Sequence, residues 1–234
     1  CEVEIKIFDE DGQFVRNADS NEVGQLCIRG PSVFKGYLKA ENNQGVWADG
    51  DWFNTGDLGR QDADGYFWLT GRSKDLIIRG GHNIDPQAIE EAMHKHPAVA
   101  MAAAVGKPDE RVGELPAVYI QLKPGHNVNV DELLQHAQQS ISERAAIPKD
   151  IWLIEQIPVT AVGKIFKPEL RLDAMRRALL ERLEDLAETL QIDVRPDSKY
   201  GMHADIQAIQ PITDWRTLAE QRLALFKLSY NLFP

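Results

Sequence analysis

Between residues 75 and 168, short apolar runs alternate with amphipathic stretches, and this alternation constrains the fold more than any other feature of the chain. DLIIR is a short apolar strand. Asp85-Pro86 follows it, giving an N-cap and then proline at the first helical position, where no N–H partner is needed. Ile89, Ala92 and Met93 form the apolar face of that helix. It should end near His96-Pro97, because the residue before a proline avoids helical torsions. AVAMAAAVG and PAVYIQL read as buried strands, and DIWLIEQIP as another. VDELLQHAQQSI is a second helix, with Leu133, Leu134, Ala137 and Ile141 on one side. The expected result is α/β, with helices on one face of a sheet.

The flanks differ. Residues 1–70 are β-rich: VEIKIF alternates apolar and polar residues and runs into the hairpin signal Asp11-Gly12. GQLCIRG makes a second strand, closed by Gly30-Pro31. WFNTGDLGRQDADGYFWLTGR makes two more, joined at Asp64-Gly65. In the last block, apolar residues at 172, 175, 179, 183, 186 and 190 trace a helical stripe. DVRPDSKYGMHADIQAI then reads as a hairpin and DWRTLAEQRLALFKLSY as a closing helix.

The length of 234 residues allows one or two domains at roughly 150 residues each. With 43% hydrophobic and 26% charged residues, the composition is that of an ordinary globular protein. A net charge of -10 argues against nucleic acid or anionic membrane as partner, since both demand clustered Lys and Arg. No apolar run nears the ~20 residues of a membrane span. The start, CEVEIKIFDEDG, is not a signal peptide. Two cysteines are too few for a secreted disulfide scaffold, so a cytoplasmic location is expected. Cys1 opens directly inside a strand pattern with no methionine before it, which reads as the truncated start of a longer protein.

Three segments carry candidate chemistry. In Thr55-Gly56-Asp57-Leu58, with Arg72 fifteen residues beyond Asp57, a carboxylate and an arginine could share the hydroxyls of a ribose. Taken alone, a turn aspartate and a surface arginine are the commoner explanation. In GRSKDLIIRGGHNI, Gly80 and Gly81 would let backbone approach a ligand. A turn into the capped helix explains the glycines, but not the charge at Arg72, Lys74 and Asp75. In PVTAVGKIFK, Lys164 after Gly163 could reach into a site from an irregular loop. Any single lysine is more often a solvated one, and the spacing is not that of a P-loop. His82, His94 and His96 have no supporting carboxylate or cysteine pattern, so no metal site is expected and they read as exposed helix-end residues. DEDG and DADG are turns rather than calcium loops.

TGDL, GRSKDLIIRGGHNI and PVTAVGKIFK, in that order and spacing, resemble the C-terminal signatures of the adenylate-forming (AMP-binding) superfamily of acyl-CoA and aryl-CoA ligases, luciferases and peptide-synthetase adenylation domains. GQLCIRGPSVFKGYLK adds to the likeness, which covers about residues 1–170.

The resemblance implies an ATP-dependent ligase that activates a carboxylic acid, foremost a fatty acid, as acyl-AMP and passes it to CoA. It implies that 1–73 is the C-terminal β-rich part of the large domain (a remnant of its β-barrel), 74–168 the mobile lid, and 169–234 a helical and hairpin extension. By position, Asp57 and Arg72 would hold the ribose. Lys164 would meet the carboxylate and α-phosphate as the catalytic cation. Lys74 would be the hinge, and Gly80 and Gly81 would line the CoA channel. GGHN resembles the CoA ligases more than the ligases that finish on a carrier protein. A carrier-protein-loading adenylation domain and a non-catalytic binding module remain the alternatives. The family's phosphate loop and acid pocket are not in these residues. ATP with its Mg2+ would therefore be held mainly elsewhere, and the chain alone is expected to be inactive.

Overall fold

The computed structural model describes residues 1–9, 11–197, 201–210, 213–226 and 228–233. The chain divides into two compact units, Cys1–Leu76 and Ile77–Pro234.

In the first unit, β1 (Glu2–Phe8), β2 (Phe14–Asn17), β3 (Gly24–Arg29), β4 (Trp47–Ala48), β5 (Trp52–Gln61) and β6 (Phe67–Arg72) form one sheet. The order is β2-β1-β3-β5-β4, with β6 also on β5. The first hairpin turns where Asp11-Gly12 predicts: Asp9 Oδ1 accepts the Gln13 amide at 2.7 Å, and Gly12 takes φ +75°. Period-two reading of VEIKIF would place Lys6 in solvent, yet it is 1% exposed. Its ammonium meets Glu4 at 2.8 Å and Asp49 at 3.1 Å, and lies 4.6 Å from the ring centres of both Phe14 and Trp52. Charge and aromatic partners thus stand in for lost water.

In the second unit, β7 (Ile77–Arg79), β8 (His82–Ile84), β9 (Val99–Asp109), β10 (Gly113–Leu122) and β11 (Asp150–Leu153) make a five-stranded sheet. β9 runs antiparallel along β10, β11 pairs with β10 in parallel, and β7 meets it through Arg79–Gly113. Helices α1 (Pro86–His94) and α2 (Val130–Ser140) cover one face, where Ile89, Met93, Leu133 and Ala137 pack on Ala102, Ala104, Val118 and Ile120. Asp85 caps α1 as expected, Oδ1 accepting the Gln87 amide at 2.9 Å.

Helix α3 (Lys167–Arg182) covers the other face, with Leu170 and Ala174 against Ala103, Val105 and Tyr119. Helices therefore lie on both faces, not one. The reason is legible in β9, whose AVAMAAAV is apolar at successive positions and needs cover on both sides. The Tyr119 hydroxyl donates to Asp173 Oδ2 at 2.7 Å, and the Arg177 guanidinium lies over Trp152 at 4.8 Å, seating the helix. His96 is buried rather than exposed: its Nδ1 accepts the Ala98 amide at 3.3 Å, and its ring stands edge-on to His136.

Beyond α3 come β12 (Leu190–Asp197), β13 (Gly201–Ala208), α4 (Trp215–Leu223) and β14 (Ser229–Phe233). They form a three-stranded sheet, β12-β13-β14, with β14 parallel to β13. The stripe from 172 to 190 is not one helix. α3 stops at Arg182, a 3-10 run spans Glu184–Thr189, and Leu190 opens β12. Most of the stripe is nonetheless buried: Met175, Leu179, Leu183, Leu186 and Leu190 share a core with Ile192, Ile206, Trp215 and Leu223. The closing helix likewise ends early, at Leu223. Tyr230 and Leu232 pack on that core with the period of a strand. The hairpin pairs from Leu190–Ala208 to Asp197–Gly201, and its turn at 198–200 lies outside the described residues. Among the described residues, no helix is long and apolar enough to cross a membrane.

Candidate active site

Asp57 and Arg72 face each other across β5 and β6 in direct register, with Arg72 Nε 3.0 Å from Asp57 Oδ1. Thr55-Gly56-Asp57 lies within β5, where Gly56 takes φ +75°. Thr55 Oγ1 donates to the Leu26 carbonyl at 2.9 Å and accepts the Asp57 amide at 3.1 Å, fixing where the carboxylate leaves the strand. Arg72 Nη2 lies 3.7 Å from where a Gly56 Cβ would stand. The Asp57 and Arg72 side chains are 38% and 64% exposed, so acceptor and donors face solvent side by side. That is the pattern a vicinal diol would satisfy. As a surface ion pair it contributes little to stability. Lys74 follows in the 3-10 turn Ser73–Asp75, where Ser73 Oγ donates to the Gly56 carbonyl at 3.3 Å, two residues before the first unit ends.

In the second unit, Gly80 and Gly81 join β7 to β8 in a two-residue turn, with Arg79 paired to His82. Their φ values of +57° and +84° are those of a type I′ turn, which favours glycine at both places. The Gly80 amide donates to the Val112 carbonyl at 2.7 Å. A Cβ on Gly81 would meet nothing within 4 Å, so the outer side of the turn is open.

Lys164 stands on a hairpin, not on the irregular loop expected. Val159 bridges Ile165, the Thr160 amide donates to the Lys164 carbonyl at 2.7 Å, and the Phe166 amide donates to the Pro158 carbonyl at 2.8 Å. Gly163 makes the turn at φ +80°, and Lys164 is exposed beside it. The base is fixed too: Gln121 Oε1 accepts the Ile157 amide at 2.9 Å, and Lys167 reaches Glu90 at 2.7 Å.

Asp57 and Arg72 are thus together in one unit, while Gly80, Gly81 and Lys164 ride on two hairpins of the other. Glu90 and Lys167, which tie down the base of the Lys164 hairpin, carry no motif signal of their own in the sequence. Lys167 lies three residues after Lys164, but nothing in the sequence links it to Glu90.

The model of the AMP-binding enzyme C-terminal domain matches residues 88–164. Marinolic acid–CoA ligase of Pseudoalteromonas sp. is 49% identical over 195 residues, covering 82% of this chain and 30% of that ligase. The chain belongs to the adenylate-forming, AMP-binding family. The medium-chain fatty-acid–CoA ligase of Escherichia coli is 36% identical, with 79% of this chain and 32% of that enzyme covered. Among solved structures, ATP-bound MatB from Rhodopseudomonas palustris superposes with a TM-score of 0.65 at 27% identity, over 73% of this chain and 33% of that one. o-Succinylbenzoate CoA synthetase from Bacillus subtilis, in complex with its acyl-adenylate intermediate, gives 0.63 at 31% identity, over 72% and 34%. The chain spans about a third of the length of the relatives it matches.

Proposed function

We propose that the protein carrying this chain is an ATP-dependent acid–CoA ligase that activates a carboxylic acid, foremost a fatty acid, as acyl-AMP and transfers the acyl group to CoA. The observation that carries the reading is the pairing, within one compact unit, of a cationic hairpin tip at Lys164 with a bare glycine turn at Gly80-Gly81. A unit that rotates can present first one and then the other. The names of the relatives, CoA ligases in both cases above, support CoA as acceptor, and one of them supports a fatty acid as substrate.

In this reading, Asp57 accepts from the ribose hydroxyls of ATP and Arg72 donates to the same sugar. The phosphates and their Mg2+ are held mainly by residues outside this chain. When the acid attacks the α-phosphate, two anions converge, and the Lys164 ammonium lowers the barrier by neutralising charge that grows in the transition state. The unit then turns about Lys74, a few torsions there absorbing the motion. Pantetheine passes Gly80-Gly81, its thiol attacks the acyl carbonyl, and AMP leaves. The two cysteines, both free thiols, suit a reducing cytoplasm.

The test uses the two half-reactions of the full-length protein. Lys164→Ala should slow adenylation, read as ATP–pyrophosphate exchange, by on the order of 10²–10³. It should spare thioester formation from supplied acyl-AMP. Equal losses in both would remove Lys164 from the role.

A further inference from the structure

Glu114 lies half-buried near the start of β10, with its carboxylate laid over the backbone of Gly106 in β9. A Cβ built on Gly106 would stand 2.4 Å from Glu114 Cδ and 2.5 Å from Oε2, far inside contact distance. Gly106 is not left-handed, so torsion does not call for glycine there; the carboxylate occupies the room a side chain would fill. Oε2 accepts the Ile78 amide at 2.8 Å. Burial pushes the Glu114 carboxyl above its ordinary range, against the opposing pull of the Ile78 amide and the Arg171 charge.

The place of this bond matters. β7 meets β10 through a single register pair, Arg79 with Gly113, and the Glu114 side chain supplies the acceptor for the next amide back along β7. Two residues beyond Ile78 the chain enters the Gly80-Gly81 turn. Arg79 Nη1 also donates to the Ala145 carbonyl at 2.6 Å, and Gly80 to Val112, so the turn's near side is tied at three points.

We propose that Glu114 is a positioning residue for the CoA step: seated over Gly106, it fixes β7 through Ile78 and so sets where the Gly80-Gly81 turn meets pantetheine. It touches no substrate. The inference rests on the reading of that turn given above.

Three variants of the full-length protein test it. Glu114→Gln keeps an oxygen acceptor and should stay near wild type. Glu114→Ala and Gly106→Ala, which remove or displace that acceptor, should each raise KM for CoA about ten-fold, the effect of losing one charge-assisted hydrogen bond. ATP–pyrophosphate exchange should stay within about two-fold of wild type, which also reports a folded protein. In the same two variants, hydrogen exchange at the Ile78 and Gly80 amides should quicken about ten-fold. Unchanged exchange at Ile78 in Glu114→Ala would overturn the contact. Glu114→Gln as impaired as Glu114→Ala would overturn the acceptor role. Gly81→Leu, run alongside, separates the two levels. If it impairs CoA use and Glu114→Ala does not, the positioning role fails while the reading of the turn stands. If it leaves CoA use untouched, that reading fails and the CoA role of Glu114 fails with it.

Discussion

Lys167 Nζ lies 2.7 Å from Glu90 Oε1, and the two side chains are only 14% and 16% exposed. The pair joins the first residue of α3 to α1, and the same Glu90 oxygen accepts the Ala104 amide of β9 at 2.8 Å. Removing one partner leaves a poorly solvated charge alone, which costs more than the pair contributes. Lys167→Met should therefore destabilise the chain by about 2–3 kcal/mol, while Lys167→Arg should keep most of the stability. Guanidinium titration of the 234-residue chain measures both. No shift of the Lys167→Met midpoint would mean the pair is not made in solution.

Gly81→Leu should impair thioester formation while pyrophosphate release continues. A side chain at 81 meets open space on this chain, so the folding cost is confined to the torsion, about 1 kcal/mol at φ +84°. A loss larger than that cost, confined to the CoA step, would come from bulk in the path of pantetheine. Wild-type CoA kinetics in the variant would end the channel assignment.

Cys27 is fully buried, and burial pushes its thiol up to about 11, whereas Cys1 is exposed. At pH 8 an aromatic disulfide reagent should find one thiol at once and the second only after guanidinium is added. The sign of the pH effect follows: the native state favours the neutral thiol, so Cys27 contributes stability below its ordinary pKa, and that contribution is lost as pH rises towards 11. Two thiols reacting at one rate in native buffer would contradict the burial.

The chain as it stands should show no ligase turnover. On the reading proposed above, Asp57 and Arg72 would offer a nucleotide only a ribose clasp, worth a few hydrogen bonds of ~0.5–1.5 kcal/mol net each. The check is AMP release with ATP, CoA and a panel of fatty and aromatic acids. Robust turnover would overturn the expectation that this chain alone is inactive.

Local signals carried much of the fold. Asp85-Pro86 marked the start of α1 because cap and proline act within one turn, and Asp11-Gly12 and Asp64-Gly65 marked hairpins for the same reason. The candidate residues Asp57, Arg72, Lys74, Gly80, Gly81 and Lys164 came from ordered motifs, and the motifs were silent about what holds them. Lys6 shows why: its burial depends on Asp49 and Trp52, remote in sequence, and no period within VEIKIF reports them. Glu114 and Gly106 are diagonal neighbours across β9 and β10, a relation that exists only once the register is set. The change from helix to 3-10 run and strand after Arg182 was hidden because leucines at helical spacing also suit a core reached by three kinds of backbone.

Helix α3 serves two cores, giving Leu170 and Ala174 to the five-stranded sheet and Met175 and Leu179 to the three-stranded one. For anyone recombining such chains, this sets where a crossover can fall. A junction after the Lys164 hairpin would pair a foreign helix with the native sheet, and a junction after Arg182 would leave Met175 and Leu179 against foreign strands. The segment that can be exchanged without breaking a hydrophobic core begins at Ile77 and carries everything through β14.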